Sequence, residues 1–177
     1  MKNYKNNNPK IDPGLLKDPI HCLALGFGTG LAAKAPGTFG TLVGIPLFLV
    51  MQSLPVAIYC LVTTILFLVG VWICDRTARE LGVHDHPGIV WDEVVGYLVT
   101  MLMAPSGWLW IIMGFILFRI FDIWKPWPIK IIDQRISGGF GIMFDDLIAG
   151  VFAFISIHIL SFAFKTGLLY WAVTGRV

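Results

Sequence analysis

Residues 56–74 read VAIYCLVTTILFLVGVWIC, an unbroken run with no charge and no proline. As a helix rising about 1.5 Å per residue, such a run reaches across a hydrocarbon layer of about 30 Å. The whole chain shares its character. Of 177 residues, 56% are hydrophobic and only 14% charged, and the mean hydropathy is +0.77. A soluble domain of this size cannot bury that much apolar surface, so lipid is expected to cover part of it. A formal charge of +2 is too small for a nucleic-acid partner.

Outward from this run the chain falls into further apolar segments. Leu42–Leu54 precedes it across Ser53-Leu54-Pro55, its helix starting near Thr38. Beyond the polar stretch Asp75–Glu93 come Val94–Ala104 and Trp108–Phe121, broken at Pro105-Ser106-Gly107. A second polar stretch, Asp122–Gly141, leads into Ile142–Phe164, which Asp145 and Asp146 interrupt. Ile20–Ala33 is apolar but short, which fits a re-entrant or interfacial helix better than a full span. The expected fold is all-α: two helical hairpins plus a final helix, with that re-entrant N-terminal helix. Residues 1–19 read as a polar, flexible arm, 20–165 as a membrane-embedded catalytic domain, and 166–177 as a short tail.

Charge placement orients the bundle. The turns at Ser53–Pro55 and Pro105–Gly107 carry no charge, whereas the other connections carry Arg76, Arg79, Lys125, Lys130 and Arg135. The excess of Lys and Arg on cytoplasmic loops places these connections in the cytoplasm. Lys165 and Arg176 then fall on the far side, against the rule. Cys22, Cys60 and Cys74 form no CxxC pair and read as small apolar residues, not as a disulfide framework or zinc site.

Nine of the eleven acidic residues lie between Asp75 and Asp146. Asp92, Glu93, Asp145 and Asp146 stand where polar loops enter apolar helices. One acid there is commonly a cap. Two double-acid pairs brought together would repel unless a cation neutralised them, and carboxylate oxygens select hard ions such as magnesium, calcium or manganese. Asp122 is a further candidate ligand. Arg119, Asp122 and Lys125 follow at i, i+3 and i+6 on a helix end. Arg119 and Lys125 are open to two readings. Either they reach for the membrane interface with Asp122 as partner, or they grip a phosphate, Arg through its planar fork and Lys as a point charge. His84 and His86 are candidate proton donors to a leaving alkoxide, or parts of a polar turn shaped by Gly82, Pro87 and Gly88. Thr38, in Pro36-Gly37-Thr38-Phe39-Gly40-Thr41, opens a helix whose amides are suited to a phosphate, or marks a plain helix start. Trp91–Gly96 and Phe144–Gly150 echo each other: an aromatic, two acids, then a glycine one turn later.

Five stretches together resemble the phosphatidylglycerophosphatase A family: His21–Gly30 (HCLALGFGTG), Ala35–Thr41 (APGTFGT), Gly82–Gly96 (GVHDHPGIVWDEVVG), Phe118–Pro128 (FRIFDIWKPWP) and Gly138–Gly150 (GGFGIMFDDLIAG). Their order and spacing cover roughly residues 20–151. Thr41 stands where the family often has Ser, and Lys34 precedes a turn that is often more apolar. The resemblance implies a multi-pass, magnesium-dependent (Mg2+) lipid phosphatase of the bacterial inner membrane, with phosphatidylglycerophosphate as substrate and its site facing the cytoplasm. Water is the expected nucleophile, since no Ser, Cys or Asp sits in a recognisable nucleophile motif. A transporter or channel would also use helix-end carboxylates, but more naturally at mid-span.

Overall fold

The structure, a computed structural model, describes residues 9–83 and 85–174, and their side chains except at 132–134 and 168–174. Every regular element among the described residues is helical: α1 (Pro19–Ala24), α2 (Pro36–Met51), α3 (Val56–Glu80), α4 (Trp91–Thr100), α5 (Trp108–Trp124), α6 (Ile129–Arg135) and α7 (Gly138–Thr174), with 3-10 turns at Pro13–Lys17 and Gly26–Leu31. The two hairpins, α2–α3 and α4–α5, and the final helix follow the apolar runs.

Three local departures have physical causes. Ile20–Ala33 is not one helix. Gly26, Phe27 and Gly28 take φ of 55°, 57° and 93°, which ends the first piece after α1 and kinks the second. Gly30 lies so close to the Gly88 carbonyl that a Cβ there would sit 1.9 Å from its oxygen. The glycines thus serve a close backbone crossing. The run Val94–Ala104 overshoots α4, which starts at Trp91 with Asp92 and Glu93 in its first turn and stops at Thr100; acids favour that end of a helix. The polar stretch after Asp122 holds α6, and α7 continues past residue 165 to Thr174.

The helices converge on α4, whose Val94, Val95, Tyr97 and Leu98 are fully buried. One cluster joins Phe48, Tyr97, Phe118 and Ile157, and a second joins Ile73, Cys74, Trp91 and Met143. Val56–Glu80 and Gly138–Gly167 are long and apolar enough to cross a membrane, with only 22% and 28% of their most apolar windows buried. The core helix of a soluble protein would be mostly buried. Here Leu61, Leu68, Trp72, Ile159 and Phe162 are exposed, as side chains facing lipid would be. These two helices point to membrane association.

Candidate metal and phosphate site

The two double-acid segments meet because their glycines do. A Cβ on Gly96 would lie 2.9 Å from the Asp146 carbonyl oxygen, and one on Gly150 would lie 2.5 Å from the Gly96 carbonyl oxygen. Small residues let helix backbones approach this closely, and Thr100 ties the crossing by donating to the Gly150 carbonyl of α7 at 3.4 Å. The echo between the two segments is therefore a packing device: α4 and α7 cross where each has its glycine, one turn from its acids. At the start of α7, Gly139 fits against the Val71 carbonyl of α3, and its amide donates to Asp75 at 3.2 Å.

The crossing gathers Asp92, Glu93 and Asp146, each offering an oxygen within 4.8 Å of the others. Asp85, Asp122, Lys125 and Asp145 line the same cavity of about 190 Å³. Asp146 and Asp145 are buried, at 3% and 6% exposure. Asp92 Oδ1, Glu93 Oε2 and Asp146 Oδ2 are buried without a hydrogen-bond partner among the described residues. Buried polar atoms are rarely left so. Burial, and then the charge of neighbouring Glu93, push the Asp92 carboxyl well above its ordinary range. Burial and the charge of Asp146 do the same to Glu93.

Two cations divide the acids. Arg119 Nη1 lies 2.5 Å from Asp122 Oδ2 and 3.7 Å from Glu93 Oε1, and donates to the Thr41 hydroxyl at 3.5 Å. Lys125 Nζ lies 2.6 Å from Asp145 Oδ2. Lys125 closes α5 at φ 44°, a left-handed conformation that costs a non-glycine residue about 1 kcal/mol. Asp122 and Asp145 thus have cationic partners, and Asp92, Glu93 and Asp146 form the oxygen cluster. Those three are hard donors of the kind that binds magnesium, and their orphaned oxygens fit such an ion.

The remaining sequence candidates are placed differently. Thr38 is half-buried in the first turn of α2, where its amide donates to the Ala35 carbonyl at 3.0 Å. The structure brings Gly37 and Thr41 of the same motif to the acids instead. The Thr41 hydroxyl donates to the Gly37 carbonyl at 2.9 Å, and Gly37 faces Glu93 and Arg119. Their i, i+4 spacing was the available signal, since it puts both on one helix face. His86 is not in the cavity lining. The Gly88 amide donates to its Nδ1 at 3.0 Å, so Nε2 carries the proton and donates to the Pro9 carbonyl at 2.9 Å. With both ring nitrogens engaged by backbone, His86 ties the N-terminal segment to the loop. His84 lies outside the described residues. Asp85, which the sequence reading passed over as a site residue, lines the cavity; neighbours in extended chain point to opposite sides, which fits Asp85 facing in while His86 faces away.

The family profile described as Phosphatidylglycerophosphatase A matches residues 22–161. A Phosphatidylglycerophosphatase A of Escherichia coli K12 is 43% identical over 155 residues, covering 87% of this chain and 90% of the relative. One from Haemophilus influenzae is 46% identical over 158 residues, covering 88% and 96%. A Bacteroides thetaiotaomicron protein, provisionally named a phosphatidylinositol-3-phosphatase, is 35% identical over 145 residues, covering 77% and 90%. No solved structure matches the chain.

Proposed function

This chain belongs to the phosphatidylglycerophosphatase A family, and from that premise we propose that it is a magnesium-dependent lipid phosphatase converting phosphatidylglycerophosphate to phosphatidylglycerol and phosphate. The observation that carries the metal is the cluster of Asp92, Glu93 and Asp146 oxygens within 4.8 Å, with orphaned oxygens on all three. The site sits at the end of the bundle where α4 and α7 begin and α5 ends. With the basic connections at that same end, it faces the cytoplasm and the inner leaflet of the bacterial inner membrane.

Asp92, Glu93 and Asp146 would hold the magnesium, which would supply Lewis-acid polarisation of the phosphoryl oxygens and of water. The chain's own groups do the rest. Lys125, in the cavity lining, meets the charge that spreads over the phosphoryl oxygens in the transition state. Arg119 holds Asp122 and Glu93 in place and adds its charge from behind them. Water attacks phosphorus, the phosphorus–oxygen bond to the glycerol breaks, and a cavity carboxylate not on the metal takes the water's proton. Asp85, Asp122 and Asp145 are the carboxylates in reach of that space. The departing alkoxide takes up the proton that this carboxylate received from water, which completes both products and returns the carboxylate to its ionised form.

The test is phosphate release by purified protein from phosphatidylglycerophosphate, with magnesium or with a chelator. Release that persists under chelation would remove the metal. Faster release from phosphatidylinositol 3-phosphate, prompted by the Bacteroides relative, would reassign the headgroup.

A further inference from the structure

The α4 crossing also builds an apolar groove of about 300 Å³ between α3, α4 and α7, lined among others by Thr63, Phe67, Val95, Val99 and Leu147. It shares no lining residue with the acid cavity, but α4 and α7 contribute walls to both. Asp92, Val95 and Val99 fall at i, i+3 and i+7, so a site acid heads the α4 stripe that walls the groove, and Leu102 extends the wall past the helix end. On α7, Leu147 directly follows Asp146.

The direction of the groove is fixed by two hydrogen bonds. The Trp91 indole donates to the Leu66 carbonyl at 3.2 Å, and the Tyr59 hydroxyl donates to the Leu98 carbonyl at 2.7 Å. Phe67 therefore lies at the acid end and Tyr59 at the remote end, about 12 Å away along α3. The chemistry of the wall is equally specific. Its hydroxyls are spent on backbone: Tyr59 on Leu98, Thr63 on the Tyr59 carbonyl at 2.9 Å, and Thr64 on the Cys60 carbonyl at 2.8 Å. The wall thus offers an occupant little but carbon. Cys60 and Thr64 are exposed, so the groove opens outward, on the side a bilayer would cover.

We propose that this groove holds one acyl chain of the lipid whose phosphate occupies the acid cavity, an inference that rests on the lipid-phosphatase reading. A diacyl substrate anchored by its headgroup at Asp92 and Asp146 needs apolar surface beginning one turn away, and this groove begins there. Because a chain leaving the groove enters lipid and not water, the groove contributes by packing and by placing the headgroup.

The experiment compares kcat/KM for dipalmitoyl phosphatidylglycerophosphate with that for its water-soluble deacylated headgroup, using full-length protein in lipid nanodiscs. The groove is blocked after folding by alkylating Cys60 with a bulky maleimide in Cys22→Ser protein, since Cys74 is buried. It is blocked independently by Val99→Phe. The lipid-to-headgroup ratio should fall at least tenfold in both. Leu68→Phe, on the exposed side of α3, should leave that ratio where it was. An unchanged ratio after Cys60 alkylation overturns the groove assignment, whatever Val99→Phe does to folding. If unmodified protein releases phosphate from neither substrate, the phosphatase reading fails and takes the groove with it.

Discussion

Replacing Gly37 by alanine should separate activity from stability. A Cβ built on Gly37 lies 2.0 Å from Glu93 Oε1 and 3.1 Å from Arg119 Nη1, where real Cβ contacts stay beyond about 3.0 Å. The Glu93 carboxylate must yield by about 1 Å. It is the end of a flexible side chain, so the fold can accommodate the change. Overpacking costs about 1–3 kcal/mol at most, and exchanging Gly for Ala in a helix returns up to about 1 kcal/mol. Function lacks that tolerance, because the yielding atom belongs to a proposed ligand. A misplacement of about 1 Å costs about a hundredfold in rate, or about 2.7 kcal/mol of transition-state stabilisation. Gly37→Ala should therefore melt within a few degrees of the parent, turn over about a hundredfold more slowly, and need more magnesium for half-maximal rate. Turnover within threefold of the parent, at the parent's magnesium requirement, would refute the placement of Glu93 as a ligand. Loss of fold together with activity would show that α2, not Glu93, gives way.

Asp92→Asn and Asp146→Asn should each cost at least a hundredfold in rate at the parent's magnesium concentration and raise the magnesium needed for half-maximal rate; an unchanged magnesium requirement would argue against direct ligation. Because burial raises the folded-state carboxyls of Asp92 and Glu93, metal-free protein should lose stability as pH rises from about 4 toward their raised values. Melting curves in chelator that stay flat with pH, or an Asp92→Asn protein no more stable than the parent at pH 8, would contradict this. Arg119→Lys keeps the charge but loses the planar guanidinium whose Nη1 meets Asp122, Glu93 and Thr41, and should cost tenfold or more in kcat/KM; near-normal activity of well-inserted protein would reduce Arg119 to an interfacial anchor. Lys125→Gln should raise KM more than the magnesium requirement. His86→Gln should stay within threefold in kcat, since loss of a general acid would cost a hundredfold or more. A non-hydrolysable phosphonate analogue of the substrate should bind only with magnesium present, as calorimetry would register.

The architecture was legible because apolar run length and uncharged turns dictate hairpins in lipid. What escaped depended on contacts between distant backbones. Nothing local in GFGTG announces that Gly30 meets the Gly88 carbonyl, so a broken segment reads as one short helix. The acids were visible as pairs at helix mouths, but their division was not. That division is set by which carboxylates Arg119 and Lys125 reach across the bundle. Likewise the PGTFGT motif signalled a site without showing which of its faces turns inward. The structure turns Gly37 toward Glu93 and Arg119, and the Thr41 hydroxyl toward Arg119. Alternation along the chain separates Asp85 from His86, but only the contacts to Gly88 and Pro9 show which of the two is kept from the cavity.

The charge balance of the cavity bears on the order of events. Asp85, Asp92, Glu93, Asp122, Asp145 and Asp146 all line it, and among the described residues Arg119 meets Asp122 and Glu93 while Lys125 meets Asp145. The cluster of Asp92, Glu93 and Asp146 brings more negative charge than Arg119 offsets there. A lipid phosphomonoester brings up to two more negative charges, and like charges a few ångströms apart in a partly desolvated cavity repel by several kcal/mol. Part of the excess can be removed by protonation, which the raised carboxyls of Asp92 and Glu93 allow. Protonated acids are poor ligands, however, and they cannot draw in a phosphate. A divalent cation removes the same excess while leaving the oxygens ionised, and it turns the cavity from a repeller of phosphate into a binder. The fold supports that sequence. Arg119 and Lys125 hold Asp122 and Asp145 neutralised and in place beforehand, and the Gly96–Gly150 crossing fixes the distance between Asp92, Glu93 and Asp146. On the proposed magnesium-dependent reading, the expected order is therefore cation first, into a preformed cluster, and lipid phosphate second.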